Sequence, residues 1–181
     1  MTTPAEISEI AQQLETLSEL ELNSFRVTSE SLLAVIEDDS SSLLARLHAC
    51  EILLHRDQTK FLSVIGVGKV ASIFVAALKD QVTTDLNPWA FLNMNELGPF
   101  GRTLVACGQR AVVELVPLLN IQRLAGLYSG SAEAKEGNAD QPRVCDFAAY
   151  FIAKIKQLPY RFDRDDVKVR DTEIDRVKKL A

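Results

Sequence analysis

Cysteine is scarce in this chain. Cys50, Cys107 and Cys145 are the only 3 in 181 residues, and they sit far apart in apolar, helix-like contexts. Such spacing excludes a disulfide framework and a zinc-finger ligand set, and predicts buried, inert thiols. Long hydrophobic runs are missing too. No apolar stretch approaches the roughly 20 residues that a membrane span requires. The opening residues, MTTPAEISEI, are acidic where a secretory signal would be basic and then apolar. The expectation is a cytoplasmic protein with no membrane association. Alternation of apolar and polar residues at period two is absent over any convincing length, which argues against a sheet-based fold.

Histidine is limited to His48 and His55. Seven residues apart on one helix, they share a face but lie about 10 Å from each other by the helical rise. Glu51 falls between them, yet no third ligand converges, so neither a metal site nor a cofactor site is expected. Gly66-Val67-Gly68-Lys69 resembles a phosphate-binding loop, but that motif needs glycine at position 63 and serine or threonine at position 70. Here those positions hold Ser63 and Val70, and no strand precedes them, so a helix break is the better reading. Cys107 or Cys145 could act as a nucleophile only with a histidine brought alongside, and nothing positions one there. Acidic pairs occur throughout the chain and therefore mark no hydrolytic site. Arg143 and Asp146, three apart on one helix, can pair with each other or support a neighbouring loop. No catalytic residue is expected.

Basic residues are few at the start. Residues 1–57 hold 11 acids against Arg26, Arg46 and Arg56, a net charge of −8 in a chain whose total is −5. An acidic face repels phosphate backbones, which disfavours nucleic acid, and steers a basic protein toward itself.

What the chain has in abundance is helical periodicity. With 47% hydrophobic and 25% charged residues, it has the composition of an ordinary soluble domain. Thr3-Pro4-Ala5-Glu6 offers an N-cap, a proline at the first helical position and a glutamate placed to close a capping box. Ile7, Ile10, Ala11, Leu14 and Leu17 continue that helix. Thr28 or Ser29 caps a second helix, and the run Glu37-Asp38-Asp39-Ser40-Ser41-Ser42 then turns into LLARLHACEILLHR. Phe61 to Ile65 ends another helix, broken at Gly66 and Gly68, before Val70, Ile73, Phe74, Ala77 and Leu78 form the next face. Asp85 to Trp89 reads as a turn entering a short helix, and Gly98-Pro99-Phe100-Gly101 as a further break. The stretch GQRAVVELVPLLN follows, its face formed by Val112, Val113, Leu115, Val116, Leu118 and Leu119. A polar excursion over residues 127–141 separates it from RVCDFAAYFIAKI, whose face holds Val144, Phe147, Ala148, Phe151, Ile152 and Ile155. The charge-dense end, residues 161–181, places Val167, Val169, Ile174, Val177 and Leu180 in a C-terminal capping helix with a polar outer face.

Two stretches share one order of features. LLAVIEDDSSSLLARLHACEILL runs from a short helix through an acidic turn to a longer helix, and LVPLLN followed by RVCDFAAYFIAKI does the same with a longer insertion. Both resemble HEAT repeats. The resemblance rests on Leu115-Val116-Pro117-Leu118-Leu119-Asn120 ending a first helix, on Arg143-Val144 opening the second, and on Ala148, Ala149, Ile152 and Ile155 within it. It covers about half the chain and implies an all-α fold, a right-handed α-α superhelix of HEAT-like helical hairpins forming one domain over residues 1–181. Similar folds serve as scaffolds, adaptors and inhibitors.

The resemblance implies a protein-binding module and not an enzyme. A concrete form is neutralisation of a basic partner, as when an immunity protein holds its toxin. Candidate partner-binding residues are Glu37, Asp38 and Asp39 in the acidic turn, and Tyr128, Glu133, Glu136 and Asn138 in the polar excursion. Trp89, Phe91, Phe100 and Tyr128 are candidate aromatic anchors. The alternative is a small-molecule-binding enzyme or lyase-like chaperone on the same scaffold, which would require a concave pocket with convergent polar groups.

Overall fold

The computed structural model describes residues 2–17, 21, 24–57, 60–80, 97, 99–125, 141–163 and 165–181. Its described residues form nine α-helices and one 3-10 turn. Outside the helices, the one β feature among them is an isolated antiparallel bridge between Leu124 and Arg143. The all-helical expectation holds. The chain divides into two compact units, Met1–Leu86 and Asn87–Ala181.

In the first unit, α1 (Pro4–Thr16) begins where its local chemistry dictates. The Thr3 hydroxyl accepts from the Glu6 amide at 3.3 Å, and the Glu6 carboxylate accepts from the Thr3 amide at 2.6 Å, closing the capping box. Thr28 caps α2 (Ser29–Glu37) by accepting from the Ser31 amide at 3.1 Å. Ser42, out of the three serines available, caps α3 (Leu43–Arg56) by accepting from the Ala45 amide at 3.2 Å. Each cap satisfies an amide that the first helical turn cannot satisfy itself.

Helix α3 is the centre of this unit and packs on α1 and α2. Its run from Leu47 to Leu54 is buried without a break, Glu51 included. A helix buried on every side must be surrounded by others. The His48 ring donates through Nδ1 to the Leu14 carbonyl at 2.6 Å, tying α3 to the end of α1. Helix α4 (Phe61–Ile65) and helix α5 (Val67–Asp80) meet at Gly66, whose φ of 90° favours glycine. Only Gly66 makes the break. Gly68, expected to share it, lies in the first turn of α5. Helix α5 packs back on α3, and the rings of Phe61 and Phe74 stack with centroids 6.4 Å apart.

In the second unit, α6 (Pro99–Ala106) opens on a proline, which the first helical position tolerates because its amide needs no partner there. Of the expected break at Gly98 to Gly101, Gly98 lies outside the described residues and Pro99 to Gly101 belong to this helix. Gly101 lies inside it, and a Cβ there would come within 3.2 Å of the Leu97 side chain. The break falls instead at Gly108, with φ of 58°, and α7 (Gln109–Leu115) follows. Pro117 cannot continue the α hydrogen-bond ladder, and residues Val116–Asn120 tighten into a 3-10 turn. The expected apolar face is buried only in part. Val112, Leu115, Leu118 and Leu119 are buried, whereas Val113 and Val116 are exposed.

Helix α8 (Val144–Ile155) is buried from Val144 through Ala153 and packs on α6, α7, the 3-10 turn and α9 (Val167–Leu180). The C-terminal helix α9 meets α8 through a narrow face. Ile174 and Val177 are buried with Arg170, while Val167, Val169 and Leu180 remain exposed.

Candidate functional site

The acidic turn between α2 and α3 is one of the candidate surfaces, and most of its charge is already engaged. Asp38 accepts from the Ser40 amide at 3.0 Å and from the Ser40 and Ser41 hydroxyls at 2.7 and 2.9 Å. Hydrogen bonds from Ser40, then Ser41, hold its carboxyl below the usual carboxylate range. Asp38 therefore shapes the turn that delivers Ser42 to its capping position. Asp39 accepts from Lys69 Nζ at 3.0 Å and from Arg46 at 3.3 Å, and the Lys69 hydrogen bond lowers its pKa. Glu37 stands 3.9 Å from the same ammonium. Lys69, the residue that gave Gly66 to Lys69 its likeness to a phosphate loop, is thus the internal counter-ion of the acidic turn.

Acidic residues lacking such pairing lie on the other side of α2. Helices α1 and α2 border an open groove of about 870 Å³, to which α1 gives Glu6, Glu9, Ile10 and Gln13 and α2 gives Glu30, Ser31 and Ala34. Among the described residues no lysine or arginine stands within ion-pair distance of Glu9 or Glu30. Glu6 is different, because its capping-box hydrogen bonds with Thr3 hold its carboxyl below the usual range.

In the second unit charge is concentrated inside. Asp146, fully buried, accepts from the Arg143 amide at 2.8 Å, from Arg143 Nε and Nη2 at 3.1 and 2.9 Å, and from Arg170 Nη1 at 3.3 Å. The hydrogen bond to Asp146 is the main cause raising the Arg143 pKa. Arg143 also pairs with Asp171 at 2.7 Å, and the Arg170 guanidinium lies 4.9 Å from the centroid of the Phe162 ring. The Arg143–Asp146 pair expected from the sequence is therefore real, but it is half of a larger cluster that pins α9 to the start of α8. Arg170 escapes a reading of the tail as a polar outer face. Its signal was its register, since positions 170, 174 and 177 lie on one face with Ile174 and Val177.

This cluster sits at a neck. The Ala125 amide donates to the Pro142 carbonyl at 2.8 Å and the Val144 amide to the Arg123 carbonyl at 3.0 Å, clasping the two ends of the polar excursion. Its candidates Tyr128, Glu133, Glu136 and Asn138, with Asp140, lie outside the described residues, as do Trp89 and Phe91. Phe100, offered as an exposed anchor, is instead buried in the core of the second unit, because α6 starts at Pro99 and turns that ring inward.

The groups considered for chemistry take structural positions. His48 is buried against α1, and His55 Nε2 stands 3.9 Å from Glu51 Oε1. Among the described residues no group of three histidine, cysteine or acidic side chains is arranged to hold a metal ion. All three cysteines are free and buried. Burial pushes the Cys107 and Cys145 thiols up to about 11, and Cys50 further still, which disfavours the nucleophilic thiolate. Among the described residues, no helix is long and apolar enough to cross a membrane.

The chain matches no protein-family model, no curated protein and no solved structure.

Proposed function

We propose that this chain is a HEAT-like helical-repeat module, a right-handed superhelix of helical hairpins, that binds a basic partner protein in the cytoplasm as an adaptor or inhibitor. The supporting observation is how charge is divided between the two units. Residues 1–86 carry 13 acidic against 6 basic side chains, a net −7, whereas residues 87–181 carry 12 against 14, a net +2. A surplus of that size on one small unit attracts positive surfaces and repels nucleic acid. Helical hairpins built around a largely buried second helix, α3 in one unit and α8 in the other, support the repeat reading.

The test is affinity capture from the source cell with the full chain as bait, followed by a salt titration of each captured complex. A partner of high isoelectric point should be released as ionic strength rises from about 50 to about 300 mM, over which the screening length contracts by more than half. Recovery only of acidic proteins, held independently of salt, would remove the proposal.

A further inference from the structure

We infer that the groove between α1 and α2 is the seat for a basic amphipathic helix of the partner, an inference that rests on the basic-partner reading above. Three observations carry it. The groove is lined by acidic and apolar side chains from both helices, Glu9 and Ile10 on α1 and Glu30 and Ala34 on α2. Its lining residues are exposed or half-buried, so it is too open to enclose a small molecule, which a ligand pocket normally buries by more than two thirds. The acidic turn, by contrast, already has Lys69 and Arg46 as counter-ions.

The geometry suits a helix in a groove. On α1 the lining positions 6, 9, 10 and 13 recur at helical spacing, and on α2 positions 30, 31 and 34 do so. An incoming helix that sets an apolar stripe on Ile10 and Ala34 brings flanking lysines or arginines toward Glu9 and Glu30. That is the pairing expected when an amphipathic segment docks by its apolar face and its charges set orientation and encounter rate. Glu6 remains with Thr3, where it holds the start of α1, and so contributes field without giving up its cap.

The experiment uses the full chain and a labelled synthetic peptide of leucine and lysine, about 15 residues long so that it can form a helix on one face. A peptide of the same composition in scrambled order is the control, and binding is read by fluorescence anisotropy at about 50 mM salt. The amphipathic peptide should bind, and Glu9→Lys with Glu30→Lys should weaken it roughly tenfold or more. Ala34→Phe, which fills the groove without changing charge, should weaken it roughly fivefold. Glu15→Lys with Asp80→Lys, the same change of charge on the same unit at exposed positions outside the groove, should stay within about threefold of the parent. Circular dichroism establishes that each variant keeps its helices. If Ala34→Phe leaves affinity unchanged and the scrambled peptide binds as tightly as the ordered one, the groove is not the seat and only diffuse attraction to the acidic unit survives. If neither peptide binds the parent chain, the groove and the basic-partner reading fall together.

Discussion

The two units use charge in opposite ways. The first carries its surplus on the surface, where Asp39 is open to water while its partners Lys69 and Arg46 are half-buried. The second is nearly neutral in sum, yet it encloses a carboxylate between two guanidinium groups, with Asp146 and Arg170 both at 2% exposure or less. Exposed pairs contribute little to stability because water and salt screen them, and the acids that have no lysine or arginine partner among the described residues, Glu9 and Glu30, are the ones available for recognition. Buried charges are costly to leave unpaired, so the second unit's charges specify how its last helix docks. Surface charge here concerns partners; interior charge concerns registration of the fold.

The sharpest way to break this contrast is Asp146→Asn. It leaves Arg143 and Arg170 without their shared carboxylate and should cost about 3–5 kcal/mol, read as a lowered urea midpoint. Asp39→Asn should scarcely move that midpoint; a loss equal to that of Asp146→Asn would erase the distinction between the units. Next in size are the corner glycines, which the units have in common. Gly66→Ala and Gly108→Ala each force a side chain into a left-handed conformation at no cost in crowding, since nothing lies within 4 Å of either added Cβ. Each should lower stability by about 1–3 kcal/mol in calorimetry, and similar losses would show that backbone conformation alone sets the penalty.

A smaller effect is expected at Ser42, whose replacement by alanine removes the cap of α3 and should cost about 1 kcal/mol in the same assay. The smallest is a pH effect confined to the acidic turn. Asp38 and Asp39 have pKa values below their ordinary one, so the unfolded chain binds their protons first. Their contribution is complete above the ordinary aspartate value of about 3.9 and declines as pH falls through the lowered values. Carbon-detected NMR titration of the two carboxyls should place both midpoints below that value. An ordinary midpoint at Asp39 would mean that the Lys69 pair is not held in solution.

Helix starts were legible because capping is chemistry among residues three apart. Thr3 with Glu6, Thr28 with Ser31, and Ser42 with Ala45 can be read directly from a line of letters. The pairing of Arg143 with Asp146 has the same short range. What the letters hid was conformation and distance. Gly66 and Gly68 look alike, and only the φ of Gly66 separates the break from an ordinary helical residue. Val113 is exposed within α7 and Val116 opens the 3-10 turn that carries Pro117, so a face drawn through every apolar letter wrongly includes both. Lys69 reaches Asp39 across 30 residues and Arg170 reaches Asp146 across 24, and no local pattern announces either contact. The acidic turn was therefore found as a charge run, while its counter-ions were not. The groove was not foreseen at all, because it depends on how two separated helices lie together.

The clasp formed by Arg123, Ala125, Pro142 and Val144 has a consequence for engineering. It joins the outgoing and returning chain by backbone hydrogen bonds, with Arg143 beside it anchored by Asp146 and Asp171. Any connection leaving at Ala125 and returning at Gln141 starts with its ends already together. Doubling the length of a flexible connection between such ends costs only about 0.6 kcal/mol. That makes the clasp a graft point, where a foreign peptide or a small reporter domain can be spliced in while the helices beneath keep their packing.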